Sequence, residues 1–341
     1  MSTHFRTPRG LVRAVDGVSF ELNRGSALGI VGESGSGKTI LSRSIMGLLP
    51  TQNTVRRGVI EFEGREISSL SRSKMRKVWG KEMAMIFQDP MTSLNPVMKI
   101  GKQIAEPLMI HLGMSHHAAA ETAERLLHDV RIPEPARRLK QYPHEMSGGM
   151  RQRVMIAIAM SCGPTLLLAD EPTTALDVTV QAQILDLLGE QRRERNMSMI
   201  LVTHDLGVVA GHTDDIAVMY GGRLVEKAPT RELFANMKMP YTEALLESIP
   251  KIADRSHTRL SAIPGRPPDL VNPPTGCRFA PRCAYVRDKC NKEEPPLIAA
   301  PESAEHLYRC WYPVGSPEYL ETRVQIEDRR TTAAAEPVAA L

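Results

Sequence analysis

The sequence is poor in aromatic residues, which make up 4% of its 341 positions, and it has no long apolar segment. Runs such as Val154–Met160 are far shorter than the roughly 20 apolar residues that span a bilayer. The N-terminal stretch Met1–Phe5 lacks the apolar core of a secretion signal. These absences predict a cytoplasmic protein whose contact with a membrane is made through a partner.

An excess of charge is also lacking. The formal net charge is +4, and Lys and Arg form no long block. Proteins that bind nucleic acid usually carry a basic patch or stripe, so we expect no nucleic acid as ligand. The hydrophobic fraction of 42% is that of an ordinary globular protein, and 341 residues are too many for one hydrophobic core. We therefore expect one large domain followed by a smaller one.

Strand and helix signals alternate along residues 11–203. The segments Leu11–Val15, Val18–Leu22 and Ala27–Val31 are short, β-rich and separated by turn residues. Further along, the pattern predicts helices over Lys38–Leu49, Ser147–Met160 and Val178–Arg195, and strands over Val59–Phe62, Met83–Phe87, Leu166–Ala169 and Ser198–Thr203. Apolar strands beside helices favour a parallel sheet that is covered on both faces. Residues 97–142 carry helical spacing without strand signals, which indicates a helical insertion.

The composition changes in the last third of the chain. Prolines crowd Pro264–Pro274, and four of the five cysteines follow soon after. We therefore predict a first domain over 1–235, a boundary near 235–255, a cysteine-bearing extension over 236–315 and a disordered tail over 316–341.

Residues 32–39 read Gly-Glu-Ser-Gly-Ser-Gly-Lys-Thr, which fits the phosphate-binding pattern G-x-x-x-x-G-K-[ST]. The glycines let successive backbone N–H groups point at phosphates, and the following helix N-terminus favours an anion. We expect Lys38 to reach the β- and γ-phosphates of ATP and the Thr39 hydroxyl to bind Mg²⁺. The nucleotide-binding residues of this loop are predicted to be Gly32, Ser34, Gly35, Ser36, Gly37, Lys38 and Thr39.

Two carboxylates, Asp170 and Glu171, end the apolar segment that begins at Thr165. Charge at the end of a buried strand is unusual unless a cation lies there. We expect Asp170 to associate with Mg²⁺ and Glu171 to polarise the water that attacks the γ-phosphate.

Residues 146–153 read Met-Ser-Gly-Gly-Met-Arg-Gln-Arg and resemble the signature sequence of the ABC ATPase family. A Ser-Gly-Gly turn at a helix N-terminus is a second anion site. The resemblance implies that Ser147, Gly148 and Gly149 dock on the γ-phosphate bound to an opposite subunit, so that two chains enclose two ATP molecules. Met146 and Met150 depart from the Leu and Gln that are common at these positions.

Other positions match the same family in order along the chain. The resemblance implies that Gln88 senses Mg²⁺, that His204 contacts the γ-phosphate, and that Ala175–Asp177 form the D-loop. Phe5 is expected to stack on adenine. Members usually have a longer strand before this position than the four residues found here, which predicts either a late start or a missing edge strand.

Within that family the chain resembles the ATPases of dipeptide and oligopeptide importers. The segments that carry this likeness are Phe87–Pro96, Pro240–Leu246, Ile263–Gly265 and the cysteine-bearing tail. The resemblance implies an α/β P-loop fold of the ABC type, with a mixed sheet, an antiparallel β edge layer and a helical subdomain over about 97–160.

The resemblance also implies the partners and the role. They are a second, related ABC ATPase subunit, two transmembrane permease subunits and an extracytoplasmic substrate-binding protein, with this chain on the cytoplasmic face of the membrane. ATP hydrolysis then powers the import of peptides. Two alternatives stay open: the same role with nickel, glutathione or a sugar as cargo, and a soluble ABC ATPase that acts on ribosomes or DNA.

The cysteines of the extension follow the spacing C-x5-C-x6-C-x19-C over Cys277, Cys283, Cys290 and Cys310. Disulfides are not expected in the cytoplasm, so four thiols in a loop-rich segment favour a metal. Zinc sites usually contain two tight C-x2–4-C pairs, which are lacking here, and four loosely spaced cysteines also suit a [4Fe–4S] cluster. The resemblance favours the cluster, with zinc or unoccupied thiols as the alternatives, whereas Cys162 is expected to be buried and inert.

Overall fold

The computed structural model describes residues 1–174, 176–249 and 263–335, apart from the side chains of residues 90, 91 and 327–335. Its strands are β1 (Ser2–Thr7), β2 (Gly10–Val15), β3 (Ala27–Val31), β4 (Thr54–Arg57), β5 (Glu61–Phe62), β6 (Arg65–Glu66), β7 (Met83–Ile86), β8 (Leu166–Asp170), β9 (Ser198–Thr203), β10 (Asp215–Tyr220), β11 (Arg223–Pro229), β12 (Ile298–Ala300) and β13 (Ser303–Tyr308). Its helices are α1 (Lys38–Ile45), α2 (Arg72–Met75), α3 (Pro90–Ser93), α4 (Ile100–Leu112), α5 (His116–Asp129), α6 (Pro135–Arg138), α7 (Gly148–Met160), α8 (Val178–Glu194), α9 (Leu206–Ala210), α10 (Thr230–Asn236), α11 (Pro240–Glu247), α12 (Asp288–Lys292) and α13 (Pro317–Ala335).

The central sheet has eight strands in the order β12-β13-β11-β10-β3-β9-β8-β7. Strands β10, β3, β9, β8 and β7 are parallel, whereas β11, β13 and β12 join by antiparallel pairing. Every residue of β3 is buried, because Ala27 and Val31 face one apolar cluster while Leu28 and Ile30 face the other. Burial on both faces explains why this strand is a continuous apolar run. The predicted mixed sheet is confirmed.

The predicted antiparallel edge layer is also present. It consists of the three-stranded sheet β2-β1-β4 and the short β5-β6 hairpin. The prediction of a strand over Val18–Leu22 is wrong, since these residues adopt no regular secondary structure. Val18 exchanges backbone hydrogen bonds with Met1, and Phe20 and Leu22 pack on an apolar cluster. The β-rich composition of this segment therefore reflects packing and not strand pairing.

The helical insertion lies between β7 and β8 and contains helices α4, α5, α6 and α7. Helices α4, α5 and α7 pack against one another. Ser115 begins α5 by accepting a hydrogen bond from the Ala118 N–H at 3.3 Å, which satisfies one of the free donors of the first turn. The predicted helical subdomain is thus present in the fold.

Helix α1 ends four residues earlier than Leu49, where the sequence predicted its end. Gly47 adopts φ +66°, its N–H donates to the Ser44 carbonyl at 3.1 Å, and the Leu48 N–H donates to the Arg43 carbonyl at 2.9 Å. These two bonds are the pair that closes a helix at a left-handed glycine. The glycine ends the helix, and Pro50 lies beyond that point.

The cysteine-bearing part of the chain is joined to the central sheet by main-chain pairing. Strand β13 lies beside β11, with Glu226 opposite Tyr308 and Lys227 opposite Leu307. The buried His306 Nε2 lies 2.8 Å from a carboxylate oxygen of the buried Glu226, which adds a side-chain contact to the pairing. The boundary predicted near 235–255 lies partly outside the described residues.

The tail predicted as disordered over 316–341 contains helix α13 in the described structure. Tyr319 is 1% exposed, and its ring lies 4.2 Å from that of Tyr285. The Tyr319 hydroxyl also donates to Glu243. One buried aromatic side chain therefore holds the start of a segment whose composition indicates disorder. Within the described ranges no helix has the length and apolar character that a membrane span requires.

Candidate active site

The loop of residues 32–37 connects β3 to α1 in a conformation that favours glycine. Gly35 and Gly37 have φ values of +80° and +103°. A Cβ atom at Gly37 would lie 2.2 Å from the Ala14 carbonyl oxygen, so no larger residue fits there. The loop therefore brings its backbone amides to the N-terminus of α1 as the sequence predicts.

Lys38 holds this loop from inside. Its Nζ donates to the Gly32 carbonyl at 2.7 Å and to the Glu33 carbonyl at 3.0 Å, and the residue is 4% exposed. Burial lowers the pKa of Lys38, and the nearby carboxylates of Glu171 and Asp170 oppose that shift. A buried cation with carbonyl partners can exchange them for phosphate oxygens.

The other expected groups gather at the carboxyl ends of neighbouring parallel strands. Thr39 Oγ1 donates to an Asp170 carboxylate oxygen at 3.1 Å, which links the loop after β3 to the end of β8. Gln88, after β7, donates to Glu171 Oε2 at 3.0 Å. His204, after β9, places Nδ1 3.6 Å from the same oxygen. The topology thus brings together residues that are far apart in the sequence.

Glu171 has a restrained geometry. Its φ of +48° lies in the left-handed region, which costs a non-glycine residue about 1–3 kcal/mol and is concentrated at functional sites. Its N–H donates to the Val202 carbonyl at 2.9 Å, and its Oε2 accepts from Thr174 Oγ1 at 2.9 Å. These contacts fix the orientation of a carboxylate next to the phosphate-binding loop.

The residues expected to hold Mg²⁺ fit that ion. Asp170 is 1% exposed at the end of β8, and burial raises its pKa. A buried carboxylate gains stability from a cation, and Mg²⁺ prefers oxygen ligands. Thr39 offers a hydroxyl that contacts the Asp170 carboxylate, and Gln88, whose side chain contacts the neighbouring Glu171, offers an amide oxygen.

The signature residues lie at the start of α7. Ser147 accepts a hydrogen bond from the Met150 N–H at 3.3 Å and thereby caps the helix. Ser147 and Gly148 are exposed, and a Cβ atom at Gly149 would lie 3.0 Å from Val180 Cγ1 of α8. The turn therefore presents its backbone amides to solvent at a helix N-terminus, where an anion is favoured.

Phe5 and the D-loop are the two remaining regions that the sequence assigns to the nucleotide site. Phe5 is half-buried in β1, where it pairs with Val12 and Thr54, and its stacking on adenine stays a prediction. In the D-loop, Ala175 lies outside the described residues, while Asp177 caps α8 by accepting from the Val180 N–H at 2.9 Å.

The four cysteines of the extension line one cavity of about 20 Å³. The cavity lining is largely apolar and includes Phe279 and Trp311. Burial raises the pKa of Cys277 to about 11 and that of Cys283 to about 12. No three His, Cys, Asp or Glu side chains of the described residues form a group that could hold a metal ion. The donors are soft and share one cavity, but as placed they do not form the metal site that the spacing predicted.

Sequence reasoning missed the residues around Glu33. The Glu33 carboxylate binds Arg282 through two hydrogen bonds of 2.5 and 2.9 Å, and the Glu33 N–H donates to the Tyr241 hydroxyl at 2.9 Å. Arg282 lies 249 positions along the chain from Glu33. No spacing or composition signal joins two positions that are so far apart.

Comparison with known proteins agrees with this geometry. The family model described as ABC transporter matches residues 15–174, and the model described as oligopeptide/dipeptide transporter, C-terminal region, matches residues 225–290. Among solved structures, the dimeric post-hydrolysis ATP-binding cassette MJ0796, bound to ADP and phosphate, aligns with a TM-score of 0.61 at 26% identity. That alignment covers 67% of this chain and 96% of the other.

Curated relatives match over most of their length. The oligopeptide transport ATP-binding protein OppD of Bacillus subtilis is 49% identical, over 91% of this chain and 87% of its own. OppD of Salmonella typhimurium is 50% identical, over 91% of each chain. The dipeptide transport ATP-binding protein DppD of Bacillus subtilis is 48% identical, over 90% and 91%. This chain therefore belongs to the ABC transporter family of ATP-binding proteins, in the group that carries the oligopeptide/dipeptide transporter C-terminal region.

Proposed function

We propose that this chain hydrolyses ATP to power the import of oligopeptides or dipeptides through a membrane transporter. One observation carries the ATPase assignment: Lys38, Thr39, Gln88, Asp170, Glu171 and His204 meet at the ends of four adjacent parallel strands. The cargo rests on the relatives, whose names assign them to oligopeptide or dipeptide transport.

Lys38, Asp170 and Thr39 bind the phosphates and their ion in the proposed mechanism. Lys38 transfers its hydrogen bonds from the Gly32 and Glu33 carbonyls to phosphate oxygens and so offsets their charge. Thr39, Gln88 and Asp170 would hold Mg²⁺, which would supply charge stabilisation at the phosphates when bound. The loop amides keep their orientation as charge develops, so little reorganisation is needed during the reaction.

Glu171 and His204 act on the hydrolytic water and the γ-phosphate. Glu171 accepts hydrogen bonds from Gln88 and Thr174 on the same oxygen, Oε2. Its other carboxylate oxygen is therefore available to orient a water molecule. His204 lies beside Glu171 and is assigned the contact with the γ-phosphate. Adenine stacking is assigned to Phe5.

A second ATPase subunit completes the site. Ser147, Gly148 and Gly149 are assigned to the nucleotide on the opposite subunit, in keeping with their exposure at a helix N-terminus. We infer a heterodimer with a related ATPase, attached to two permease subunits at the cytoplasmic face of the membrane and served by an extracytoplasmic binding protein. Closure and reopening of the ATPase pair would then shift the permeases between two states.

For the extension we propose a [4Fe–4S] cluster on Cys277, Cys283, Cys290 and Cys310. The support is the shared cavity and the soft, fourfold donor set. The thiols would have to turn toward one another on loading, because the described side chains form no metal-binding group as they stand. Iron and sulfide analysis of anaerobically purified protein, with a visible absorption scan, tests this proposal. Colourless protein with stoichiometric zinc would contradict it.

The transport assignment is tested by isolating the chain from membranes and identifying the proteins that accompany it. We expect two permeases and a second ATPase, and an ATPase activity of the reconstituted complex that rises when a peptide-loaded binding protein is added. Recovery with ribosomes in place of permeases would contradict a transport role. Stimulation by nickel, glutathione or a sugar, without stimulation by peptides, would contradict the cargo alone.

A further inference from the structure

Glu33 is the second residue of the phosphate-binding loop, and every polar group it carries is engaged. Its carbonyl accepts from Lys38 Nζ at 3.0 Å and from the Ser36 N–H at 3.2 Å. Its N–H donates to the Tyr241 hydroxyl at 2.9 Å, and its carboxylate binds Arg282. The first two contacts lie inside the loop, whereas the other two come from beyond residue 235. The loop is therefore held from outside the nucleotide-binding motifs.

Arg282 is built into its place. Its side chain is 4% exposed. Besides Glu33, its guanidinium donates to the Pro264 carbonyl at 2.8 Å, the Ile263 carbonyl at 3.2 Å and the Tyr220 hydroxyl at 3.2 Å. A planar donor fork held in this way meets a carboxylate in one orientation, which gives both strength and geometric specificity. The pair is thus a fixed contact and not an exposed ion pair of small value.

The charge of the pair matters because of where it lies. The loop binds an anion, and an unpaired carboxylate at its second residue would repel the phosphates of ATP. Arg282 cancels that charge and leaves a neutral pair beside the loop. Lys38 also contacts the Glu33 carbonyl, so a change in the position of Glu33 displaces a partner of the phosphate-binding lysine.

The same segment of chain reaches the cysteine cavity. Phe279 lines that cavity, and its ring lies 5.3 Å from the Tyr220 ring and 5.2 Å from the Tyr241 ring. Tyr241 binds the Glu33 N–H, and Arg282 is adjacent in sequence to Cys283. Tyr241 therefore packs against a wall of the cavity, and Arg282 directly precedes a cysteine that lines it.

We propose that Arg282 is a positioning residue for ATP binding, which orients and neutralises Glu33 and so couples the cysteine-bearing extension to the phosphate-binding loop. Coupling of this kind is reciprocal, because two linked equilibria must shift each other by the same factor. Binding of ATP must then stabilise the segment that carries Arg282.

The first experiment measures equilibrium binding of ATP·Mg²⁺ to the purified full-length chain and KM and kcat for ATP in the assembled complex. Arg282→Gln should raise the Kd and the KM for ATP about tenfold and change kcat less than twofold. A tenfold loss of affinity corresponds to the lower end of what a hydrogen bond to a charged group contributes. Glu33→Gln combined with Arg282→Gln should bind more tightly than Arg282→Gln alone, since the unpaired carboxylate is gone. Arg282→Lys should recover part of the affinity.

Arg287→Gln is the matched control. Arg287 belongs to the same extension and binds a glutamate, Glu321, at 2.7 Å, far along the chain from the loop. We expect its Kd for ATP·Mg²⁺ to equal that of the unaltered chain. Unchanged ATP affinity in Arg282→Gln, or equal loss in Arg282→Gln and Arg287→Gln, would overturn the proposal.

Hydrogen exchange of the unaltered chain tests the coupling without any variant of Arg282. The amides of Ala280, Arg282 and Cys283 form hydrogen bonds within the extension. Saturation with ATP·Mg²⁺ should slow their exchange in the unaltered chain and leave it unchanged in Lys38→Met, which lacks the phosphate-binding lysine. Exchange at these amides that is the same with and without nucleotide in the unaltered chain would overturn the proposal even if Arg282→Gln failed to fold.

Discussion

The nucleotide site and the cysteine-bearing extension share one sheet, yet they are assembled in different ways. In the nucleotide site, β3, β7, β8 and β9 run parallel and end at the same edge, so the residues that follow them meet. The extension pairs with the central sheet through its backbone, but its connection to the phosphate-binding loop is made by single long side chains, as between Arg282 and Glu33. A site at strand ends can be predicted from the topology, whereas a site made of individual side-chain contacts is seen only in the folded structure.

The largest effect should come from the phosphate-binding lysine. Lys38→Met removes a buried cation that faces Asp170 and Glu171, and we expect ATP hydrolysis to fall by about 10²–10³-fold. Steady-state hydrolysis by the assembled complex measures this. The control is Lys77→Met at an exposed lysine, which should keep full activity. Equal activity of the two variants would show that the strand-end residues are not the catalytic group.

A smaller effect should separate the two halves of the nucleotide site. Ser147→Ala removes the side chain that caps α7 and contributes to the exposed anion site. We expect ATP hydrolysis by the assembled pair of subunits to fall about tenfold. The affinity of the isolated chain for ATP should be unchanged. Ser115→Ala removes the equivalent cap of α5 and should destabilise to a similar degree, by about 1 kcal/mol, with full hydrolysis. A loss of ATP affinity in isolated Ser147→Ala would mean that the signature serves its own chain.

The smallest effect concerns the backbone alone. Gly47→Ala forces a side chain into φ +66° at the end of α1 and should lower the free energy of unfolding by about 1 kcal/mol. Gly211→Ala is the control, because Gly211 has φ −99° and open space where its Cβ would lie. Urea denaturation of both variants measures the difference. Equal stabilities would contradict the assignment of Gly47 as the residue that ends α1.

The same contrast explains what the sequence could predict. Strands β3 and β9 were predicted with their observed bounds, since a strand buried on both faces is a continuous apolar run. The phosphate-binding loop, Gln88, Glu171 and His204 each follow such a strand, whereas the signature at Ser147 is recognised from its resemblance to the family. The end of α1 is recoverable from Gly47, because a glycine in the left-handed region often ends a helix.

The failures concern segments whose structure depends on distant partners. Residues 18–22 have strand composition but pack on an apolar cluster without strand pairing. The order of α13 depends on Tyr319, which finds Glu243 and Tyr285 only in the folded chain. The pairing of β13 with β11 and the contact of Arg282 with Glu33 also have no local signature.

The central claim is that the residues at these strand ends hydrolyse ATP, and Glu171→Gln tests it most directly. The variant keeps the shape of the side chain but removes the carboxylate that accepts from Gln88 and Thr174. The control is Glu190→Gln. Glu190 lies on α8 and pairs with Arg131 at 2.5 Å, and this variant should hydrolyse ATP at the normal rate. We expect Glu171→Gln in the assembled complex to retain bound ATP and to lose turnover. Full turnover in Glu171→Gln would contradict the account.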